Sequence, residues 1–524
     1  MPTTRRFLVA AALLLGIFGP VFAQGPAGEL RLPHIFGDNM VLQAGAATPV
    51  WGWAAPGQEV TVEAAGRTAT ATAGADGRWA ATLKDLAPGD QPVTLTVSAG
   101  AKITIANVLI GDVWLGSGQS NMDFPVAAAA NAPAEIAEAS HKLIRLFIVP
   151  MLGRDQPRDD CGGAWVVCSP ETVGGFSAVL YFFGREIHAQ TGRPLGLIRS
   201  SVGGTPIESW TPMSAFPEFP DPAGIADRVR AAEAAYRAAL PGRLQEVEAW
   251  TREAVRAIAE GRPVPQTPVW PEPAGDGPTS LYNAMIHPLI PFGIRGVIWY
   301  QGESNGGEGD TYLKKMQALV GSWRNLWGRG DFPFYFVQIA NWGPEDDSPE
   351  GGNGWARCRE AQLRSLAIAN TGMAVTVDIG EAGDIHPKNK QDVGKRLARW
   401  ALNREYGKAD LEPSGPLYEG MTVENRSIRV RFTHVGGGLM AGRKTGLEPV
   451  QPVPGNTLCR FAIAGADRKW RWADARIDGD AIVVSSPDVP SPVAVRYAFS
   501  MNPEHCNLYN KDGLPASPFR TDDW

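Results

Sequence analysis

Serine, histidine, carboxylates and side-chain amides stand at the ends of apolar runs in four places along this 524-residue chain. In the first, Val108 to Leu115 runs into Gly116-Ser117-Gly118-Gln119-Ser120-Asn121-Met122. A serine just past a β-prone run faces the crevice at the strand end while the sheet holds its backbone, which is where a nucleophile would stand. The stretch lacks the last glycine of G-x-S-x-G, so it is not an α/β-hydrolase elbow. The second loop, Ser201-Val202-Gly203-Gly204-Thr205-Pro206, has paired glycines that let backbone N–H groups approach a ligand, as an oxyanion hole requires. The third, Tyr300-Gln301-Gly302-Glu303-Ser304-Asn305, offers amide donors that do not titrate. The fourth sets His386 among Asp378, Glu381 and Asp384, a base with an orienting acid at hand. Each stretch alone also reads as a turn. Together they supply every role needed for acyl transfer to a serine.

For these loops to meet, one sheet must carry them. Val108 to Leu115, Leu195 to Ser200, Arg295 to Trp299, Phe334 to Ile339 and Met373 to Asp378 are apolar runs separated by helix-like segments, the pattern of a parallel α/β sheet. Before them, 24–107 alternates Val, Thr and Ala with Gly, Pro and Asp, which predicts a small antiparallel β module of sandwich type. Trp51 and Trp53 share a face there and are expected to pack rather than stack on a sugar. Within the catalytic region, 108–412, an insertion at 212–280 has helical spacing in Val229, Ala232, Tyr236 and Leu240 and again in Leu244, Val247 and Trp250. Pro241-Gly242 between them predicts a hairpin of two helices. From 413 to 524 the short β runs return as a second β module, ending in a tail, Pro515 to Trp524, too Pro-rich and polar for a strand.

A net charge of −6 without any Lys/Arg block argues against a nucleic-acid partner. Arg5-Arg6, the apolar Phe7 to Phe18 and Val21-Phe22-Ala23 read as a signal peptide over 1–23, so a secreted or periplasmic protein is expected. No later run reaches the roughly 18 apolar residues of a membrane span. Five cysteines are too few for a disulfide framework, although Cys161 and Cys168 are near enough in sequence to bridge. The seven histidines and the cysteines show no zinc-ligand spacing, so neither metal nor cofactor is expected.

GQSNM after a strand, the Gly-Gly-Thr loop, WYQGESN and DIHP resemble the blocks of the SGNH hydrolases, more narrowly the sialate O-acetylesterase family and related carbohydrate esterases. The resemblance extends to Leu32–Gln43 and to Gly513–Arg520. It implies a three-layer α/β/α catalytic domain flanked by β modules, with Ser120 as nucleophile and His386 as base. It also implies oxyanion donors from the Ser120 N–H, the Gly203-Gly204 loop and Gln301, with no cofactor. Gln119, Asn121, Glu303 and Asn305 are candidates for supporting the site or touching substrate. Two departures stand out. Wider SGNH enzymes carry asparagine where this chain has Gln301, and they place the acid three residues before the histidine, where Gly383 stands. Asp384 is the preferred acid, with Asp378, Glu381 or a backbone carbonyl as alternatives. The expected activity is removal of acetyl groups from carbohydrate hydroxyls, on a sialic acid or on a plant cell-wall oligosaccharide such as xyloglucan or xylan. A glycan-binding protein with relic loops and an esterase for longer acyl chains are the alternatives.

Overall fold

A computed structural model describes residues 28–524 apart from 46, 155, 219–221 and 269–276. The expected signal peptide lies outside the described residues. The N-terminal region contributes β1 (Val41–Gln43), β2 (Thr48–Trp53), β3 (Glu59–Ala64), β4 (Arg67–Thr72), β5 (Arg78–Leu83) and β6 (Gly89–Ala99). The central sheet follows with β7 (Ala101–Gly118), β8 (His141–Ile148), β9 (Trp165–Cys168), β10 (Leu195–Ser201), β11 (Gly296–Tyr300), β12 (Phe334–Gln338) and β13 (Thr371–Val375).

The order β13-β12-β11-β7-β10-β8 is parallel throughout, and β9 closes one edge antiparallel to β8. β10, β11, β12 and β13 are buried along their whole length, which is why they read as unbroken apolar runs rather than alternating ones. Five of these strands match the five runs expected. β8 was not expected, because His141, Lys142 and Arg145 interrupt its pattern. Arg145 is nevertheless buried, its guanidinium satisfied by Asn39 and Asn107.

β7 is the spine. Its first half pairs with β6, residues 109–111 pair with β1, and from Asp112 onward it pairs with β10 and then β11 as well. The boundary expected at 107/108 therefore falls inside one continuous 18-residue strand. One apolar cluster likewise runs from Ile35 and Trp79 through Trp114 and Trp299 to Trp400. Trp51 packs edge-on against Phe36 (4.7 Å) and Phe292 (6.4 Å), and Trp53 lies under the Arg31 guanidinium at 3.6 Å. Both are packing residues, as expected.

The insertion differs from expectation. Pro222–Ala259 is a single helix that passes through Pro241, not a hairpin. Proline removes one helical hydrogen bond at a cost of about 3 kcal/mol, but the Ala/Arg/Glu-rich turns on both sides favour helix. Ile225 anchors the helix near its start beside Ala215 and Phe216, and Trp250 donates to the Pro265 carbonyl (2.9 Å). Among the described residues no helix is long and apolar enough to cross a membrane.

After the helix Lys390–Glu405 the chain forms separate antiparallel sheets around their own core of Ile428, Phe461, Ile482 and Tyr497. The tail holds a short strand after all: Phe519–Arg520 pairs with Tyr497 and Arg496, because Asp522 accepts from the Arg496 guanidinium (2.7 and 2.9 Å) and draws the chain end onto the sheet. This module grips the catalytic sheet through Arg359, whose buried guanidinium donates to the carbonyls of Ile339, Ala340, Ser500 and Met501. Cys161 and Cys168 do not bridge. Both are buried free thiols, and burial pushes Cys168 up to about 12.

Candidate active site

Four of the five loops that follow β7, β10, β11, β12 and β13 at their carboxyl ends carry the residues singled out from the sequence. At the first, Gly118 has φ +134°, and a Cβ there would lie 2.1 Å from the Tyr300 carbonyl oxygen, so only glycine lets β7 turn this close to β11. The Gln119 N–H donates to that same carbonyl (3.0 Å). Ser120 then opens a short helix, Ser120–Asp123. Its Oγ lies 2.8 Å from His386 Nε2, a hydrogen bond across 266 residues of sequence. The His386 ring stacks on Phe124 (6.3 Å between centroids).

The second loop comes up beside Ser120. A Cβ on Gly203 would stand 3.3 Å from Ser120 Cβ, and the Val202 N–H donates to the Gly118 carbonyl (3.2 Å). The backbone N–H groups of Ser120, Gly203 and Gly204 have no protein acceptor among the described residues. That leaves unengaged donors on Ser120 and on the loop that packs against it.

Gln301 is placed differently from expectation. It is fully buried, and its Nε2 donates to the Thr205 carbonyl (3.3 Å) and to Asn305 Oδ1 (2.7 Å). An amide nitrogen carries two hydrogens, and both are engaged. Asn305 is equally committed, donating to Glu208 Oε2 (3.1 Å) and Glu308 Oε1 (2.9 Å) while accepting from the Ile207 N–H (3.0 Å). Lys315 lies 2.5 Å from Glu208; burial would raise that carboxyl, but the lysine outweighs it and holds it low. Gln301 and Asn305 therefore brace the second loop from beneath.

The fourth loop separates three acids that the sequence left in competition. Asp378 is buried and clasped by Arg396 through two hydrogen bonds (2.6 and 2.7 Å), with Tyr509 Oη at 3.2 Å. Glu381 Oε1 accepts from the Lys388 N–H (2.8 Å). Asp384 is the acid at the histidine, its Oδ1 accepting from the His386 N–H (2.9 Å) and lying 3.5 Å from Nδ1. That last separation is an ion-pair distance rather than a hydrogen bond.

Behind Ser120, Gln119 Oε1 accepts from the Ser304 N–H (3.3 Å), and Asn121 reaches Glu303, Ile385 and Lys390. Lys390 was not singled out from the sequence. It opens the amphipathic helix Lys390–Glu405, where a lysine in the first turn ordinarily faces water. Instead it is wholly buried, and burial pushes it down to about 7 against the pull of Glu303, Glu381 and Asp384.

A family profile described as "Carbohydrate esterase, sialic acid-specific acetylesterase" matches residues 266–403, which include the third and fourth loops. The sialate O-acetylesterase of Pongo abelii is 29% identical over 98% of this chain and 97% of its own, and that of Homo sapiens is 28% identical over the same shares. Among solved structures, a carbohydrate acetylesterase from Xanthomonas citri is 36% identical with a TM-score of 0.78, covering 94% of this chain and 100% of its own. With the serine, the histidine and the glycine loop gathered at one end of a parallel sheet, the chain belongs to the carbohydrate acetylesterases, with the sialate O-acetylesterases among its relatives.

Proposed function

We propose that this protein is a serine-dependent carbohydrate O-acetylesterase in which Ser120 is the nucleophile, His386 the base and Asp384 the acid behind it. The observation that carries the proposal is the 2.8 Å contact between Ser120 Oγ and His386 Nε2. His386 takes the serine proton as Oγ attacks the acetyl carbonyl. The oxyanion is held by the N–H groups of Ser120, Gly203 and Gly204, which have no protein acceptor among the described residues. The tetrahedral species collapses, the sugar oxygen leaves with the proton from His386, and an acetyl-enzyme remains. Water, deprotonated by the same histidine, releases acetate. Gln301 positions the Gly203-Gly204 loop by holding the Thr205 carbonyl, in place of the direct oxyanion contact expected for it.

The SGNH three-layer arrangement is part of this reading, supported by two separate helix pairs beside the sheet, 178–191 with 390–405, which meet through Gly394, Val179 and Phe182, and 310–327 with 356–364. So is export by the segment 1–23. The substrate is an acetylated glycan. Arg199, on the strand that leads to the glycine loop, is buried and paired with Asp123 (2.9 Å), which disfavours it as a clamp for a sialate carboxylate.

Hydrolysis of an aryl acetate by wild type and by Ser120→Ala tests the chemistry. Loss in the variant is expected, and equal rates would leave a glycan-binding protein instead. A series of acyl lengths should show activity collapsing beyond acetyl; growth with length would indicate a lipase-like pocket. Acetylated sialic acids screened against acetylated xyloglucan and xylan oligosaccharides identify the sugar.

A further inference from the structure

Two loops from distant parts of the chain must be held in register for Ser120 to meet His386, and one side chain touches both. Asn121, the residue after the nucleophile, is buried, and all of its polar capacity points inward. Its Nδ2 donates to Glu303 Oε1 (2.7 Å) and to the carbonyl of Ile385 (3.1 Å), and its Oδ1 accepts from Lys390 Nζ (2.6 Å). Ile385 is joined to His386 by a planar peptide. Asn121 holds the oxygen of that peptide, and Asp384 Oδ1 holds its nitrogen at 2.9 Å. The unit from which the histidine side chain springs is thus pinned on both sides, once from the nucleophile loop and once from its own.

The amide needs orienting partners, because a flipped asparagine would put its oxygen against the Ile385 carbonyl. Lys390 and Glu303 provide them. In their charged forms the Lys390 ammonium can only donate and Glu303 Oε1 can only accept, so as an ion pair they allow one amide orientation. Lys390 is fixed in turn by the rings of Phe124 (4.8 Å) and Tyr300 (5.5 Å), and Phe124 is the ring that stacks on His386. Glu303 has a second oxygen, Oε2, that is buried without a hydrogen bond among the described residues. Burying a lysine and a carboxylate with one oxygen unsatisfied is costly, and it is consistent with a role other than stability.

We propose that Asn121, oriented by Lys390 and Glu303, is a positioning residue that locks the nucleophile loop to the histidine loop and so sets the Ser120–His386 contact. The inference rests on the esterase reading above. Asn121, Lys390 and Glu303 do not touch substrate; they act through Ser120 and His386.

The test is a double-mutant cycle on Asn121→Ala and Lys390→Met, with kcat and KM measured separately on p-nitrophenyl acetate and normalised to folded protein. A displacement near 1 Å costs about 100-fold in rate. Asn121→Ala should therefore lose about that in kcat with KM within about threefold, since a small aryl ester binds without this network. Lys390→Met should lose about tenfold or more, and the double variant no more than Asn121→Ala alone, because the two act as one unit. Should Lys390→Met fail to fold, Lys390→Met/Glu303→Gln removes both charges and leaves no orphaned ion. It should show the same loss in kcat. A purely structural network would lower the melting temperature but leave kcat per folded molecule intact. That result, or losses that multiply in the double variant, overturns the inference. Ser120→Ala in the same assay separates the two levels: if it retains wild-type rate, the esterase reading itself fails, whereas an inactive Ser120→Ala beside a fully active Asn121→Ala removes only the positioning role.

Discussion

Asp384→Asn isolates the role of the acid, because asparagine can still accept from the His386 N–H through Oδ1 and so keeps the loop in place while removing the charge. The magnitude follows from the 3.5 Å between Asp384 Oδ1 and His386 Nδ1 and from the exposure of the acid, whose side chain is 47% accessible. At that distance a unit charge stabilises an imidazolium by about 5 kcal/mol at an effective dielectric of about 20, and by about 1 kcal/mol in bulk water. A half-exposed acid lies between these limits, at roughly 2 kcal/mol, which converts to a rate loss of about 30-fold. That is far below the roughly 10⁴-fold loss that follows when a buried, hydrogen-bonded triad aspartate is replaced. The comparison is with Asp378→Asn, which breaks a buried, doubly hydrogen-bonded pair with Arg396 and should cost about 3 to 5 kcal/mol of stability. Its kcat per folded molecule should stay within about threefold of wild type. Steady-state hydrolysis of an aryl acetate, paired with urea denaturation of each variant, reads both quantities. If folded Asp378→Asn is the slower enzyme, or if Asp384→Asn matches wild type, the reasoning fails and the histidine is oriented by something else.

Three further outcomes follow from the geometry. Lys390 is depressed to about 7 in the folded protein against 10.5 unfolded, so between these values the unfolded chain binds the extra proton and stability rises with pH. Urea denaturation from pH 7 to 10 should show a rise of a few kcal/mol in wild type that is absent in Lys390→Met; parallel curves would refute it. Gly203→Ala places a methyl 3.3 Å from Ser120 Cβ at an unstrained backbone position. It should fold normally yet lose about tenfold or more in kcat, whereas Gly118→Ala, meeting the Tyr300 carbonyl at 2.1 Å, should be severely destabilised when followed by thermal unfolding. Arg359→Leu leaves four carbonyls without their donor. It should lower stability by about 3 kcal/mol or more and loosen the C-terminal module, which limited proteolysis near residues 500 and 501 would reveal.

Much of this was legible before any coordinates. The family and its acetylesterase activity follow from GQSNM, WYQGESN and DIHP, and the parallel strands are visible because complete burial makes them uninterrupted apolar runs. What stayed hidden depended on partners. β8 is obscured by Arg145, whose burial depends on Asn39 and Asn107, more than thirty residues away in sequence, as well as on the nearby Lys142 carbonyl. The two-helix reading of 212–280 weighed Pro241 as a stop, although a helix tolerates one lost hydrogen bond when its flanks favour helix. At the site, the sequence favours Asp384 over Asp378 and Glu381, and the partners that occupy the other two, Arg396 and the Lys388 N–H, are visible only in the fold. Gln301 had the right chemistry for an oxyanion donor; only its buried partners, Thr205 and Asn305, show that its hydrogens are engaged. Lys390 had no signal at all, since nothing in a helix's first turn marks a lysine that turns inward.

The 18-residue strand β7 also has a bearing on how the protein is made. Its N-terminal half can pair with β6 as soon as it leaves the ribosome, but the half that leads to Ser120 is bounded by β10 and β11, and β11 is completed only at Tyr300. During synthesis the emerging nucleophile end of β7 therefore waits through about 180 further residues with one or both edges open, the kind of edge that invites pairing with another chain. A nascent protein paused before residue 300 would be an aggregation hazard with its N-terminal half already formed. Truncation at the N-terminal module offers no remedy, because cutting there divides the strand that both halves share.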